Sequence, residues 1–208
     1  PVQIKYPGQR DHSRPTRDPL RFSTSPLVSG MGKARESIMD FRLTEQQREL
    51  QDAARQFARR ELPDLARKME EKDFSVPAEM VRRYGEMGFL GVNLPEQYGG
   101  LGLGHLEALL VLEQFAQVSN AVAFPVFEAL VGPVRTIERF GSDDLKTRII
   151  PAVVSGEATV AISMSEPDAG TALTDLATRA REDGDHYLLE GSKRWTSGAG
   201  HARYYVVY

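Results

Sequence analysis

Residues 164–171 read Met-Ser-Glu-Pro-Asp-Ala-Gly-Thr, MSEPDAGT. The run just before them, ATVAIS, is apolar, short and suited to a buried strand. Glu166 and Asp168 flank Pro167, and a glycine and a hydroxyl come next. Working outward from this turn, the grammar of the chain changes at Gly156. Apolar residues recur at helical spacing before it, and short strand-like runs with turn signals come after it. The stretch therefore lies just past the seam of an α+β chain. The reading is an all-α N-terminal domain, residues 39–156, followed by an antiparallel β domain, β-barrel-like or a sandwich, that begins at residue 157 and is truncated at residue 208.

On the helical side, Thr44 and Gln47 form a capping box ahead of Leu50, Ala53, Ala54, Phe57 and Ala58. Pro63 breaks or restarts that helix, and Leu65, Ala66 and Met69 continue its apolar stripe. Ser75 and Pro77 open the next helix, with Met80, Val81, Tyr84 and Met87 on one face and Gly88 as the stop. GVNLPEQYGGLGLG, residues 91–104, holds five glycines. It fails the dinucleotide pattern G-x-G-x-x-G, because the third position counted from Gly100 is His105 and no strand precedes it. It reads as a packed loop between helices. A long apolar helix is expected from His105 to Val118. FPVFEALVGPVRTIERF comes next, interrupted at Pro133. Ser142 caps the last helix, with Asp143 and Asp144 favourable at its positive end, and Gly156 closes it.

On the β side, LATRARED alternates, EDGD at 182–185 signals a turn and YLLE resumes a strand, which together make a hairpin. KRWTS and ARYYVVY read as two further strands. A β block of about 50 residues ending on its most apolar strand would be marginal alone, so the expectation is a piece of a longer protein.

Composition narrows the function classes. The chain has 208 residues, net charge −3 and no cysteine, which removes disulfides, thiolate catalysis and cysteine-held metal. The four histidines, His12, His105, His186 and His201, have no metal-ligand spacing. No apolar run is long enough for a membrane helix, and no basic face suggests nucleic acid. Charge is split along the chain: residues 1–38 carry seven Lys/Arg, three Asp/Glu and five of the twelve prolines. That segment lacks apolar periodicity and is expected to be a disordered or extraneous extension. A targeting peptide is the alternative, disfavoured by its prolines.

Four roles are open to MSEPDAGT: a carboxylate pair, a metal site, a cofactor cradle or only a turn. Pro167 biases the flanking acids to diverge, and the stretch offers too few oxygens for a hard cation. Ala169, Gly170 and Thr171 let backbone come close to something flat or anionic. Ser165 and the strand-end N–H groups suit the edge of a heteroaromatic ring. The second feature is GSKRWTSGAG, residues 191–200. Trp195 is the only tryptophan. It is either a core residue or a stacking platform.

MSEPDAGT, followed about twenty residues later by GDHYLLEGSKRWTSGAG, resembles the acyl-CoA dehydrogenase family, whose pattern runs (S/T)-E-P-x-A-G-S-D and then G-D-x-Y-x-x-x-G-x-K-x-W-I-T-x-G. LPEQYGGLGLG is similar to that family's P-E-x-x-G-G-x-G loop, and MDFRLTEQQREL to its usual start. The resemblance covers residues 39–208, in order.

The resemblance implies FAD as cofactor, with Ile162, Ser163, Met164, Ser165, Gly170, Thr171, Trp195, Thr196 and Ser197 as its binding residues. Met164 and Ser165 would meet the pyrimidine side of the ring, Trp195 would pack on the isoalloxazine and the Ser197 hydroxyl would point at N5. Thr171 would also meet the pantetheine arm of the substrate. Phe124, Phe127 and Glu128 would line the acyl pocket, and Glu166 would tie the loop down rather than move a proton. The implied reaction is α,β-dehydrogenation of an acyl-CoA, with electron-transfer flavoprotein as acceptor, a homo-oligomer (dimer or tetramer) as the assembly, and a cytoplasmic, bacterial-type setting ahead of a mitochondrial one. No catalytic residue and no metal ligand is assigned: the family's base lies in a C-terminal helical domain. Residues 1–208 alone are therefore expected to be inactive and to hold FAD weakly. The sequence departs from the pattern at Ala172 (family Asp), at W-T-S for W-I-T and at Gly198 (family Asn). These changes put the substrate class in doubt. A flavin monooxygenase or oxidase of the same fold, or a non-catalytic homologue, is the alternative.

Overall fold

The computed structural model describes Val2–Lys5, residues 41–72 and residues 75–208. The chain divides into two units, one formed by its first 42 residues with Ala180–Leu189, the other by Leu43–Arg179 with Glu190–Tyr208. In the first, β1 (Val2–Lys5), β3 (Arg179–Asp183) and β4 (His186–Glu190) form a three-stranded sheet in the order β1-β4-β3. β1 runs antiparallel to β4, with Val2 opposite Leu189 and Lys5 opposite His186. The expected hairpin is present, closed by Gly184 and Asp185. Val2–Lys5 thus form a strand within the extension expected to be disordered; its other residues lie outside those described.

The second unit holds seven helices among its described residues: α1 (Glu45–Glu61), α2 (Pro63–Lys72), α3 (Ala78–Glu86), α4 (His105–Ala116), α5 (Asn120–Leu130), α6 (Pro133–Phe140) and α7 (Asp143–Val154). Their ends obey local chemistry. Thr44 Oγ1 accepts from the Gln47 N–H at 3.2 Å, and the Gln47 side chain accepts from the Thr44 N–H at 2.9 Å, which completes the capping box. Pro63 and Pro133 stand first in α2 and α6, where a missing N–H costs nothing. Ser142 Oγ caps α7 through the Leu145 N–H at 3.3 Å. Gly156 leaves α7 at φ 76, a left-handed conformation, with the Val81 carbonyl standing where a Cβ would go.

The core is aromatic at its centre. Phe57 of α1, Tyr84 of α3, Phe89 and Phe115 of α4 are all at most 3% exposed, with ring centroids 5.0–5.8 Å apart in mostly edge-to-face pairs. Burial raises the Tyr84 hydroxyl well above the ordinary tyrosine range, and it donates to the Val122 carbonyl at 3.2 Å. The glycine-rich loop spends its backbone donors on itself: the N–H groups of Leu101, Gly102 and Leu103 bond the carbonyls of Gly91, Leu94 and Val92 at 2.8–2.9 Å. Gly100 presses on the Leu94 carbonyl so closely that a side chain has no room. Asn93 Nδ2 donates to the Leu130 carbonyl at 2.9 Å, which fixes the loop to the end of α5. It is a packed connector, as its failed phosphate-loop pattern implied.

Against α5 and α6 lie β2 (Val160–Ser163) and β5 (Tyr204–Val207). They pair in parallel, Val160 opposite Tyr204 and Ser163 opposite Val207, so the expected antiparallel arrangement holds for the hairpin sheet and not for this pair. The expected KRWTS strand is absent: residues 191–196 are irregular and a turn comes next. Trp195 adopts φ 62, which takes the backbone out of the extended region and ends any ladder there.

Candidate functional site

β2 delivers Ile162 and Ser163 to the start of the MSEPDAGT turn, and Glu166 organises the turn itself. Its carboxylate accepts from the Ala177 N–H at 2.7 Å, the Thr178 N–H at 2.9 Å and Lys193 Nζ at 2.8 Å. Its own N–H donates to the Ala169 carbonyl at 2.8 Å, closing the turn across Pro167. Glu166 is 9% exposed. Lys193 above all, with the donors of Thr178 and Ala177, holds its carboxyl down to about 2. An ionised, fully partnered carboxylate is an anchor. Asp168, by contrast, is exposed. The acids of the turn do not form a pair, in keeping with the bias that Pro167 imposes.

Three links join this turn to the tryptophan segment. Lys193 Nζ also donates to the Met164 carbonyl at 3.0 Å. The Arg194 N–H donates to the Ser165 carbonyl at 2.8 Å. Thr196 Oγ1 donates to Ser163 Oγ at 3.1 Å. Ser163, Met164, Ser165, Trp195, Thr196 and Ser197 are thereby brought onto one strip.

Within that strip Trp195 is 84% exposed. It is also the one non-glycine residue at positive φ among the described residues. A large apolar ring held out of the core on strained backbone is the opposite of a core tryptophan. Gly170 opens onto free space, with nothing near the position of a Cβ. An exposed indole, small open residues and hydroxyls at a strand end are a donor and stacking set that fits a flavin ring. Gly170 and Thr171 lie at the far, exposed end of the turn and take no part in the three links.

On the other side, Ser197 and Gly198 border a cleft of about 660 Å³. Phe124, Pro125 and Glu128 of α5 form one wall, Val76, Pro77 and Val81 another, and His201 and Arg203 stand at the β5 end. Phe124 and Phe127 touch, with ring centroids 5.5 Å apart, but Phe127 does not line the cleft. Neither does Thr171. Glu128 is 7% exposed, and burial pushes its carboxyl up to about 7. The structure thus brings Ser197, Phe124 and Glu128 around one cavity and leaves Thr171 apart from it. Sequence reasoning misses Lys193, although the G-x-K-x-W portion of the motif contains it. It also misses His201 and Arg203, for which no spacing signal exists; Gly198 stands out only as a departure from the family motif.

No group of three or more His, Asp or Glu side chains suited to a metal occurs among the described residues. No helix among them is long and apolar enough to cross a membrane.

Residues 44–157 match the family model described as acyl-CoA dehydrogenase, N-terminal domain, and residues 161–208 the one described as acyl-CoA dehydrogenase, middle domain. Glutaryl-CoA dehydrogenase of Desulfococcus multivorans is 35% identical over 172 residues, 82% of this chain and 44% of that protein. A solved glutaryl-coenzyme A dehydrogenase in complex with glutaryl-CoA superposes with a TM-score of 0.76 at 33% identity, over 81% of this chain and 43% of that one. An FAD complex of PigA superposes with a TM-score of 0.74 at 27% identity, over 81% and 44%. The chain spans less than half the length of these relatives.

Proposed function

The chain belongs to the acyl-CoA dehydrogenase family, and from that premise we propose that it forms the helical domain and flavin-side turn of an FAD-dependent enzyme that dehydrogenates an acyl-CoA between its α and β carbons. The observation that carries the proposal is the strip made by Ser163–Ser165 and Trp195–Ser197, which borders a mostly apolar cleft walled by Phe124 and Glu128. Ring on one side and acyl chain on the other is the juxtaposition such a reaction needs.

In this reading the backbone of Ile162–Ser165 and the hydroxyls of Ser163, Ser165 and Thr196 would hold the flavin by its polar edge. Trp195 would supply a stacking face. The Ser197 hydroxyl would serve the reacting part of the ring, and Gly170 and Thr171 would complete the cofactor's binding set. When bound, FAD supplies the two-electron acceptor. The chain itself excludes water from the reacting face through Trp195 and the Phe124 wall, and fixes the loop through Glu166 and Lys193. Thr171 also meets the pantetheine arm of the substrate, outside the acyl cleft. α-Proton abstraction is assigned to no residue of this chain. The electron acceptor we assign is an electron-transfer flavoprotein, the assembly a homo-oligomer and the compartment the cytoplasm.

The test is made on the protein expressed from its complete reading frame. The expected outcome is a yellow protein whose visible absorption is bleached, without oxygen, by one member of a panel of acyl-CoAs. A flavin that no thioester bleaches would reject the reaction. A protein that takes up no FAD would reject the site.

A further inference from the structure

Among the described residues two glutamates are buried, and their circumstances are opposite. Glu166 is satisfied by three donors. Glu128 has no hydrogen-bond or ion-pair partner among the described residues, although Arg203 and His201 line the same cleft. Its Oε1 lies 3.6 Å from the place where a Cβ on Gly198 would stand, directly beneath the turn that carries Ser197. Phe124, Pro125, Val81 and Ala158 give the cleft apolar lining, and Thr159, Ser197, His201 and Arg203 are its polar members. A carboxyl in this position keeps its hydrogen bonds only while the cleft holds water. A hydrocarbon chain that displaced that water would leave it unpaired, which is costly.

We infer that this cleft takes an acyl group carrying a hydrogen-bond donor, a hydroxyl being the simplest, and that Glu128 is the residue that selects it. The inference rests on the reading of the cleft as the acyl pocket. A hydroxyl replaces the lost water for either protonation state of the carboxyl, since it both donates and accepts. A plain alkyl chain replaces nothing. A distal carboxylate brings a like charge next to Glu128 wherever that carboxyl is ionised, and is then discriminated against. Gly198 makes the arrangement possible, because a side chain there would overlap the Ala161 methyl and press on that of Ala202, shifting the turn that lies over Glu128.

The test uses FAD-loaded protein from the complete reading frame and three unreactive CoA thioethers: butyl, 4-hydroxybutyl and 3-carboxypropyl. Dissociation constants are measured by isothermal titration calorimetry, so no turnover is needed. The wild type is expected to bind the hydroxybutyl compound about tenfold or more tighter than the butyl compound. Glu128→Leu is expected to abolish or reverse that ratio. Glu128→Gln, which keeps shape and hydrogen-bonding capacity, is expected to preserve most of it and guards against misfolding as the explanation. Equal binding of butyl and hydroxybutyl by the wild type, or an unchanged ratio in Glu128→Leu, would overturn the selection while leaving the acyl pocket intact. Tightest binding of the carboxypropyl compound would overturn it in favour of Arg203. Binding of none of the three would overturn the pocket itself.

Discussion

Lys193 Nζ sits 2.8 Å from Glu166 Oε1, and the two residues, 27 apart in sequence, are both largely buried. The same ammonium holds the Met164 carbonyl at 3.0 Å. This side chain therefore couples the strand-end turn to the tryptophan segment, and with the Arg194–Ser165 and Thr196–Ser163 bonds it sets the relative placement of Ser165 and Trp195.

Replacing Lys193 by Met should loosen that coupling and lift the Glu166 carboxyl toward its ordinary range. A depressed carboxyl contributes stability that is present above its ordinary value, 4.5, and is lost as pH falls through about 2. In Lys193→Met that contribution should fade at higher pH, so acid unfolding should begin earlier. Acid titration followed by circular dichroism checks it, and identical acid midpoints would contradict the clamp. FAD retention by the complete protein should fall with it, since a shift on the order of 1 Å at such a site is felt strongly.

Glu128 has the opposite sign. Its carboxyl is raised from 4.5 to about 7 by burial. Between those values the folded state keeps a proton that the unfolded state releases, so stability declines as pH rises through the window and levels off above it. The penalty is at most about 3 kcal/mol, at 1.36 kcal/mol per pH unit. Glu128→Gln should therefore match the wild type near pH 4.5 and exceed its Tm at pH 8. A constant Tm difference across the window would show that Glu128 titrates normally.

These two glutamates also show how far the sequence could be read. Helix starts and stops were legible because capping boxes, prolines and glycines act locally: Thr44, Pro63, Pro133, Ser142 and Gly156 stand where their chemistry predicts. Glu166 as an anchor was legible through its motif, but its partner Lys193 lies across a tertiary contact that no local rule reports. The missing KRWTS strand has a physical cause in the positive φ of Trp195, and a tryptophan gives no sequence warning of that conformation. The parallel pairing of β2 with β5 was equally hidden, because periodicity fixes which face a strand buries and not its direction. The cleft itself joins α5 to the Ser197 turn across some seventy residues, so Glu128 could be placed there only by resemblance.

Phe115 tests the core. It is fully buried against Phe57, Tyr84 and Phe89. Phe115→Ala removes a ring from the point where α1, α3 and α4 meet, and should cost about 3–5 kcal/mol in urea denaturation of the chain. Phe115→Leu should recover much of that by filling volume. Loss of less than about 1 kcal/mol in the alanine variant would mean that the centre repacks freely.

Trp195 offers the sharpest separation of stability from function. Its ring is exposed and its backbone is left-handed, so folding gains little from the side chain and incurs the steric cost of a Cβ at φ 62. That cost is about 1–2 kcal/mol for a non-glycine residue. Trp195→Gly removes both the ring and the strain. Without cofactor the variant should therefore be as stable as the wild type or slightly more so, measured by its urea midpoint. Loaded from the complete reading frame, the same variant should lose FAD readily on gel filtration, because the stacking face is gone. The wild type carries a built-in reporter: as the only tryptophan, Trp195 should show solvent-exposed fluorescence in the apoprotein and be quenched as FAD is added. Destabilised apoprotein in Trp195→Gly would show that the indole serves the fold. Unquenched emission in flavin-loaded wild type would place the ring away from the cofactor and sink the stacking role.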